Sequence, residues 1–293
     1  MRIFFSSVFI LLLFSCTSIH TTEYELQFNS ENETKIRILQ ISDFHSNDFG
    51  KNEEKLLKLI YQSKPDLIVL TGDIFDFEQK KLKPVKNVEL LLDGIKDLCP
   101  FYYVTGNHEY YRYHNNEYGY MIEKAGGTSL SDEALLIQIN NQNLIMAGLN
   151  DPFSDLTPEE RLKDKDNREA YEARVLLLWE KVQELQKTNE NTLKILLAHR
   201  PEYIEKYKET GFDLVLSGHA HGGQWRAPGI NGFYAPMQGL FPKYAGGKYE
   251  FKTENGNITM IVSRGLSYQQ PKLPRIMNNP ELVIIDIVYK KFN

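Results

Sequence analysis

The chain has 293 residues, of which 42% are hydrophobic and 25% charged, so collagen-like, low-complexity and wholly disordered classes are excluded. Its 34 Lys and Arg residues are outnumbered by 39 Asp and Glu residues, which gives a net charge of −5. No nucleic-acid partner is expected, because binding to a phosphate backbone requires a basic face. The two cysteines, Cys16 and Cys99, are too few for a disulfide-rich scaffold or a four-cysteine zinc site.

The amino-terminal residues have the pattern of an export signal. Arg2 precedes an apolar run over residues 3–14, which is short for a membrane span but typical of a signal peptide over residues 1–15. The run ends in Leu13-Phe14-Ser15-Cys16, which resembles a bacterial lipobox and implies lipidation of Cys16. The alternative is an uncleaved anchor. Both interpretations predict an exported, membrane-tethered protein, with residues 16–34 forming the lipidated cysteine and a flexible tether.

Strand and helix patterns alternate after the tether, which predicts one α/β domain over residues 35–293. Helices are predicted at Glu53–Gln62 and Val88–Leu98. The charged segment 157–190 has an amphipathic helical period, so it is interpreted as a helical insertion that covers the sheet, or else as a lid or a partner-binding helix. The predicted strands are Ile36–Ser42, Leu67–Thr71, Phe101–Thr105, Ala134–Ile139, Leu144–Leu149, Leu193–Ala198, Asp213–Ser217, Met260–Ser263 and Leu282–Val288.

Five of these strands lead directly into potential metal ligands. The ligand-type residues are Asp43 and His45, Asp73, Asn107, His199, and His219 with His221. Because ligands gather beyond the carboxyl ends of strands in α/β sheets, we expect these side chains to meet at one edge. Carboxylate, amide and imidazole groups in this mixture suit two divalent first-row ions, such as Mn, Fe or Zn, better than Ca.

The order of these motifs resembles that of the calcineurin-like metallophosphoesterases. The resemblance extends over about residues 35–290 and is specific because five short motifs follow predicted strands in the family's order. It implies a four-layer αββα sandwich of two mixed β-sheets flanked by helices. The matching stretches are Ser42-Asp43-Phe44-His45, Gly72-Asp73, Gly106-Asn107-His108-Glu109, Ala198-His199-Arg200-Pro201 and Gly218-His219-Ala220-His221-Gly222-Gly223-Gln224.

The same resemblance implies a role for each matching residue. The implied ligands are Asp43, His45 and His221 for one metal, Asn107, His199 and His219 for the other, and Asp73 for both. A water or hydroxide shared by the metals is the implied nucleophile. His108 is implied to contact the phosphate, which makes it a candidate catalytic residue together with Asp73. Asp76 or Glu109 is a candidate for orienting a ligand or His108.

Further residues indicate which branch of the family the chain resembles. The Arg that protein phosphatases carry after Gly72-Asp73 is missing, and Asp76 stands where purple acid phosphatases have a Tyr ligand. A bacterial membrane-associated branch, which includes phosphodiesterases and enzymes acting on UDP-2,3-diacylglucosamine-type lipids, is resembled by the stretches Gly222-Gly223-Gln224, Ser263-Arg264-Gly265-Leu266 and Pro274-Arg275. Arg264 and Arg275 are predicted to bind phosphate or to pair with acidic side chains. The aromatic segment 224–247 is predicted to form a lipid- or substrate-facing rim, or a loop folded onto the domain.

The predicted function is therefore that of an exported, membrane-anchored phosphoesterase with two metals, located at the bacterial cell envelope. Its predicted substrate is a phosphate ester, either a diester or a phospholipid-like compound, and the chain is predicted to be monomeric. The alternative is a non-catalytic lipoprotein that binds metal or a ligand on the same fold. The sequence favours the enzyme, because His108 and every ligand position are occupied by a suitable residue.

Overall fold

The computed structural model describes residues 18–30, 33–76, 85–110, 117–161, 167–189, 191–268 and 274–291. The predicted signal peptide and Cys16 lie outside the described residues. Among the helices that are described, none has both the length and the apolar character needed to cross a membrane.

Strands and helices alternate along the described chain. The strands are β1 (His20–Ser30), β2 (Thr34–Ile41), β3 (Leu67–Thr71), β4 (Phe101–Val104), β5 (Thr128–Ser129), β6 (Glu133–Ile139), β7 (Gln142–Leu149), β8 (Leu193–Ala198), β9 (Leu214–Ser217), β10 (Tyr234–Ala235), β11 (Gly239–Leu240), β12 (Gly247–Thr253), β13 (Gly256–Val262) and β14 (Glu281–Lys291). The α-helices are α1 (Glu54–Ser63), α2 (Val85–Ile95), α3 (Glu117–Lys124), α4 (Pro158–Arg161), α5 (Arg168–Gln186) and α6 (Ile204–Tyr207).

Two six-stranded mixed sheets organise the fold. The first has the order β1-β14-β2-β3-β4-β5, in which β14 and β2 are antiparallel and the other neighbours are parallel. The second has the order β12-β13-β9-β8-β7-β6, in which the two outer pairs are antiparallel and the inner pairs parallel. Strands β10 and β11 form a separate small ribbon.

The alternation of apolar side chains along the central strands explains how the layers stack. In β2, Ile36 and Ile38 join a core that also contains Met146 and Leu197 of the second sheet, so this core lies between the sheets. Leu39, on the opposite face of β2, packs in a core with residues of α1, α2 and α3. Successive side chains of a strand point to opposite faces, so one continuous apolar run serves both cores.

The outer face of the second sheet is covered by α5 and α6. Tyr171, Val175, Leu178 and Val182 of α5 are buried against this sheet. The helical part of the predicted 157–190 insertion therefore covers the sheet, as predicted by the first interpretation rather than by the alternative of a lid or a partner-binding helix. Helices thus flank both sheets, and the predicted four-layer αββα sandwich is confirmed.

The prediction of a flexible tether over residues 16–34 was wrong for its last part. Strand β1 runs parallel to β14 over its whole length, from the His20–Glu281 pair to the Ser30–Lys291 pair. Leu26 is buried in the core between the sheets. The polar composition concealed the strand, because an edge strand leaves many of its side chains in solvent. The folded domain therefore begins before residue 35.

Candidate metal centre

The loops that follow β2, β3, β4, β8 and β9 bring the predicted ligands together. Backbone hydrogen bonds connect these loops directly. Asp43 N donates to Gly72 O at 3.0 Å, and His45 N donates to Asp73 O at 2.9 Å. His219 N donates to the carboxylate of Asp43 at 3.2 Å. Residues from distant parts of the sequence are therefore connected in one site.

A first group of ligand atoms comes from Asp43, His45, Asp73 and His221. His45 Nε2 lies 3.6 Å from Asp73 Oδ2 and 3.9 Å from Asp43 Oδ1. His221 Nε2 lies 3.5 Å from Asp43 Oδ1. Separations of this size leave room for a cation bonded to each atom at about 2.0–2.2 Å. The group contains the three residues predicted for one metal and the predicted bridging residue.

A second group shares Asp73 and adds His199 and His219. His199 Nε2 lies 3.3 Å from Asp73 Oδ2 and 3.2 Å from His219 Nδ1. Asn107 Oδ1 is buried and has no hydrogen-bond partner among the described residues. A buried amide oxygen without a partner is costly unless another group, such as a cation, satisfies it. These donors therefore fit two metal ions that share Asp73.

The pKa shifts of the ligands differ within the site. Burial opposes ionisation of Asp73, but His199, His108 and His45 outweigh it and hold its pKa well below the usual range. Burial also lowers the pKa of His219 and His221 well below the ordinary value, with Arg200 and His45 as the next causes. An ionised carboxylate and neutral imidazoles are the protonation states in which these groups bind metals. His199 differs from the other two histidines: burial opposes its protonation, but Asp73 outweighs this effect and raises its pKa to about 10, so His199 must lose a proton when a metal binds.

The backbone of the site is held in an uncommon conformation. Five of the seven predicted ligands have φ between +46° and +66°, namely Asp43, His45, Asp73, His219 and His221. A residue other than glycine in this left-handed region costs about 1–3 kcal/mol. Such strain persists only where the surrounding structure determines it, and it concentrates at functional sites.

Two glycines permit the close approach of the ligands. A Cβ atom at Gly106 would collide with Asp73 Oδ1, and one at Gly218 would collide with Ser42 Oγ and Asp43 Oδ2. Any larger residue would displace a carboxylate that the site requires. The motifs therefore have glycine in their Gly-Asn and Gly-His pairs because a side chain would collide with the neighbouring ligand carboxylates, and not only because the turn requires it.

The calcineurin-like phosphoesterase family pattern matches residues 36–223, which include all seven predicted ligands. The chain is a calcineurin-like phosphoesterase. Members of this family use two divalent metals, and the two ligand groups described above suit them. The chain is thus a metal-dependent phosphoester hydrolase.

Similar proteins support this assignment over most of the chain. An uncharacterized metallophosphoesterase of Aquifex aeolicus is 30% identical over 265 residues, which cover 87% of this phosphoesterase and 85% of the relative. The metallophosphoesterase YkuE of Bacillus subtilis is 28% identical over 264 residues, covering 86% and 78% of the two chains. The phosphodiesterase YaeI of Escherichia coli is 25% identical over 270 residues, covering 90% and 87%.

Asp76 and Glu109 support the phosphoesterase site in different ways. Asp76 Oδ1 lies 3.0 Å from His108 Nδ1 and orients that ring. Glu109 is buried, and its carboxylate accepts hydrogen bonds from the backbone N–H groups of Asp73, Ile74, Phe75 and Gly106 at 2.7–3.1 Å. Glu109 therefore fixes the β3 and β4 loops, which carry Asp73 and Asn107, against each other.

Sequence reasoning missed a buried group of charges behind His219. The guanidinium of Arg200 forms a two-point ion pair with Asp151, at 2.7 and 3.0 Å. Glu202 Oε1 lies 3.7 Å from Arg200 Nη1 and 3.9 Å from His219 Nε2. The only signal in the sequence was that Arg200 and Glu202 lie within three residues after His199, and this position did not distinguish them from surface charges.

The two arginines predicted to bind phosphate have different surroundings. Arg264 Nη2 donates to Glu281 Oε1 at 2.7 Å. Of the two predicted roles, phosphate binding or pairing with an acidic side chain, Arg264 therefore has the second in this structure. Arg275 is buried and donates to Arg264 O at 2.6 Å. Burial, His45 and then the charge of Arg275 lower the pKa of His221, which places Arg275 within electrostatic reach of the metal centre.

Proposed function

We propose that this phosphoesterase is an exported, membrane-anchored phosphodiesterase of the bacterial cell envelope, acting on phosphodiesters with a lipid-like group. The observation that carries the catalytic part is that two buried ligand groups share Asp73, with the partly exposed His108 beside them. A phosphoryl group could contact both metals and His108 in this arrangement. Its relative YaeI is named a phosphodiesterase, which favours diesters. The apolar run before Cys16 supports export and anchoring.

Each residue of the site has a separate role in the proposed reaction. Asp43, His45 and His221 would hold one ion, Asn107, His199 and His219 the other, and Asp73 both. When bound, the two ions lower the pKa of a shared water and neutralise charge on the phosphoryl oxygens.

His108 serves as the proton donor to the leaving oxygen. Burial opposes its protonation, but Asp73 and Asp76 outweigh this effect and raise its pKa to about 9. These two carboxylates therefore favour the protonated ring that a proton donor requires. Because Nδ1 contacts Asp76, Nε2 is the ring nitrogen that would donate to the substrate.

Hydrolysis of bis-p-nitrophenyl phosphate with Mn²⁺, compared with p-nitrophenyl phosphate, tests this proposal. We expect the diester to be the better substrate. Asp73→Asn should reduce turnover by at least about 100-fold, because it removes the ligand shared by both metals. Asp93→Asn is the matched control, since Asp93 is an exposed carboxylate paired only with a surface lysine in the described residues, and it should leave turnover unchanged.

The other outcomes contradict parts of the proposal. Faster cleavage of the monoester would make the protein a phosphatase rather than a phosphodiesterase. Binding of metal without turnover of either ester would favour the alternative, a lipoprotein that binds a ligand on this fold.

A further inference from the structure

Six exposed apolar side chains lie in the segments that follow the predicted ligand His221 and precede β14, and we refer to the group as the apolar rim. It consists of Ile230, Tyr234, Met237, Leu240, Phe241 and Met277, whose exposed fractions range from 39% to 65%. Scattered exposed apolar residues are ordinary, but a contiguous group marks an interaction surface. Five of the six lie between residues 230 and 241, and Met277 follows Ile276, whose backbone hydrogen-bonds to Gln224 and Arg226. The rim begins only nine residues after the predicted ligand His221.

The rim is a folded platform and not an extended loop. Trp225 stacks on Phe233 with ring centroids 5.2 Å apart, and Phe233 contacts Phe241 edge to face at 5.6 Å. Phe233 N donates to Gly223 O at 2.8 Å, which ties the platform to the turn that contains His221. Phe241 remains 65% exposed although its backbone is fixed by a hydrogen bond to Phe233 O.

The amino-terminal end of the described chain lies next to this platform. Asn279 Nδ2 donates to Ser18 Oγ at 3.3 Å, and His20 N donates to Pro280 O at 2.7 Å. Ile276, three residues before Asn279, exchanges backbone hydrogen bonds with Gln224 and Arg226. Three residues span at most about 11 Å. Ser18, which follows the apolar run 3–14 by four residues in the sequence, is therefore close to the platform.

We propose that the apolar rim docks onto the surface of a lipid bilayer, so that the metal centre opens toward the lipid headgroups. This inference rests on the proposed membrane anchoring and deepens it. Ser18 contacts Asn279, two residues from Met277 of the rim, so an anchor that precedes Ser18 would hold the membrane close to the rim. Aromatic residues such as Trp225 and Tyr234 favour the bilayer interface, and the exposed Lys243 beside the rim suits anionic headgroups.

The part of the rim that would contact the membrane is connected to the metal site. Asn278 Nδ2 donates to His221 O at 2.7 Å and to Gln224 O at 3.2 Å. The buried Asn278 thus connects the exposed Met277 of the rim to the backbone of a predicted metal ligand. A lipid headgroup reaching the site from the membrane would approach across this segment.

Quenching of tryptophan fluorescence by brominated lipids tests the docking. The chain has two tryptophans, and Trp179 on α5 packs against Phe212, on the helical face of the second sheet. The full chain would be reconstituted in vesicles of phosphatidylcholine and phosphatidylglycerol with brominated acyl chains. We expect Trp179→Phe, which retains Trp225, to lose emission strongly. Trp225→Phe, which retains Trp179, should lose none.

A pair of leucine variants provides the matched control. Leu240 in the rim and Leu177 on α5 are exposed to similar extents, at 62% and 57%. In the Trp179→Phe background, Leu240→Ser should weaken the quenching of Trp225 and Leu177→Ser should not. Hydrolysis of the water-soluble diester bis-p-nitrophenyl phosphate should be unchanged in both variants, because neither leucine belongs to the metal site.

Three results would overturn the docking or separate it from the proposed function. Equal quenching of both tryptophans, or of neither, would overturn the docking even if the soluble diester is hydrolysed. A dimer that Leu240→Ser converts to monomer, without quenching of Trp225, would assign the rim to a second copy and overturn it as well. Selective quenching of Trp225 without diester hydrolysis would support the docking and refute the phosphodiesterase.

Discussion

The backbone conformation and contacts of Asp73 explain how one residue can serve both metal positions. It has a left-handed backbone, and its carboxylate contacts both His45 and His199. Its backbone N–H is held by Glu109 at 3.1 Å, and Oδ1 accepts a hydrogen bond from His108 N at 2.8 Å. The strained conformation, stabilised by these contacts, directs the same side chain into both ligand groups.

At the residue scale, the buried carboxylate of Glu202 offers a test of how His219 is positioned. His219 turns Nδ1 toward His199, while its Nε2 lies 3.9 Å from Glu202 Oε1, which is too long for a hydrogen bond but close enough for an electrostatic contact. Carboxylates behind metal-binding histidines orient the ring and raise its basicity. We expect Glu202→Gln to weaken metal binding about 10-fold, measured by titration calorimetry.

The control for this prediction is Glu205→Gln. Glu205 is exposed and paired with Lys208 on the surface, so its substitution should leave metal affinity unchanged. The absorption spectrum of bound Co²⁺ should shift in Glu202→Gln and not in Glu205→Gln, because the spectrum reports ligand geometry at the metal. If neither the affinity nor the spectrum changes in Glu202→Gln, then Glu202 serves only to balance the buried charge of Arg200.

At the scale of elements, β1 joins the amino-terminal end of the chain to its carboxyl-terminal strand. All 11 residues of β1 pair with β14, although more than 250 residues separate the partners in sequence. Without β1, the apolar strand β14 would become an exposed sheet edge, which is an aggregation hazard. The segment is therefore a structural part of the sandwich.

Leu26→Ala tests the contribution of β1 to stability. Leu26 is 7% exposed and packs in the core between the sheets, so we expect the free energy of unfolding to fall by about 2 kcal/mol, measured by urea denaturation. Leu135→Ala is the control. Leu135 lies on the edge strand β6 and is 38% exposed, so its loss should change stability by less than about 0.5 kcal/mol. Equal effects of the two substitutions would show that β1 does not pack as described.

At the scale of the whole molecule, the metal centre connects the two sheets. Asp43, Asp73 and Asn107 follow strands of the first sheet, whereas His199 and His219 follow strands of the second. Ions shared by these ligands would link the two sheets in the folded protein and lose their site on unfolding. Metal binding should therefore stabilise the whole sandwich.

Calorimetry with and without a chelator tests this link. At a free metal concentration about 100-fold above Kd, binding adds about 2.7 kcal/mol to stability, which corresponds to a rise in Tm of about 5 °C. EDTA should abolish this rise, and Asp73→Asn should show little of it because both ligand groups lose a member. An identical Tm with Mn²⁺ and with EDTA in the unsubstituted protein would refute the link.

Much of the fold could be predicted from local patterns. The short apolar runs that became β3 and β8 have the predicted bounds, because both faces of a central strand are buried and leave an uninterrupted apolar signal. Strands β1 and β12 were missed because they lie at sheet edges, where much of the side-chain surface remains in solvent. Such strands are determined by their partners and not by their own composition.

The sequence by itself determined the family, the four-layer fold class and the residues suited to two metals, because each motif is local and occurs directly after an apolar strand. Only the tertiary structure decided that Arg264 pairs with Glu281 and that Glu202 lies behind His219. It also decided that Ser18 contacts Asn279, close to the apolar rim. These features depend on contacts between segments far apart in sequence. The physical reason is that a charged or apolar side chain reveals its role only when the groups around it are known.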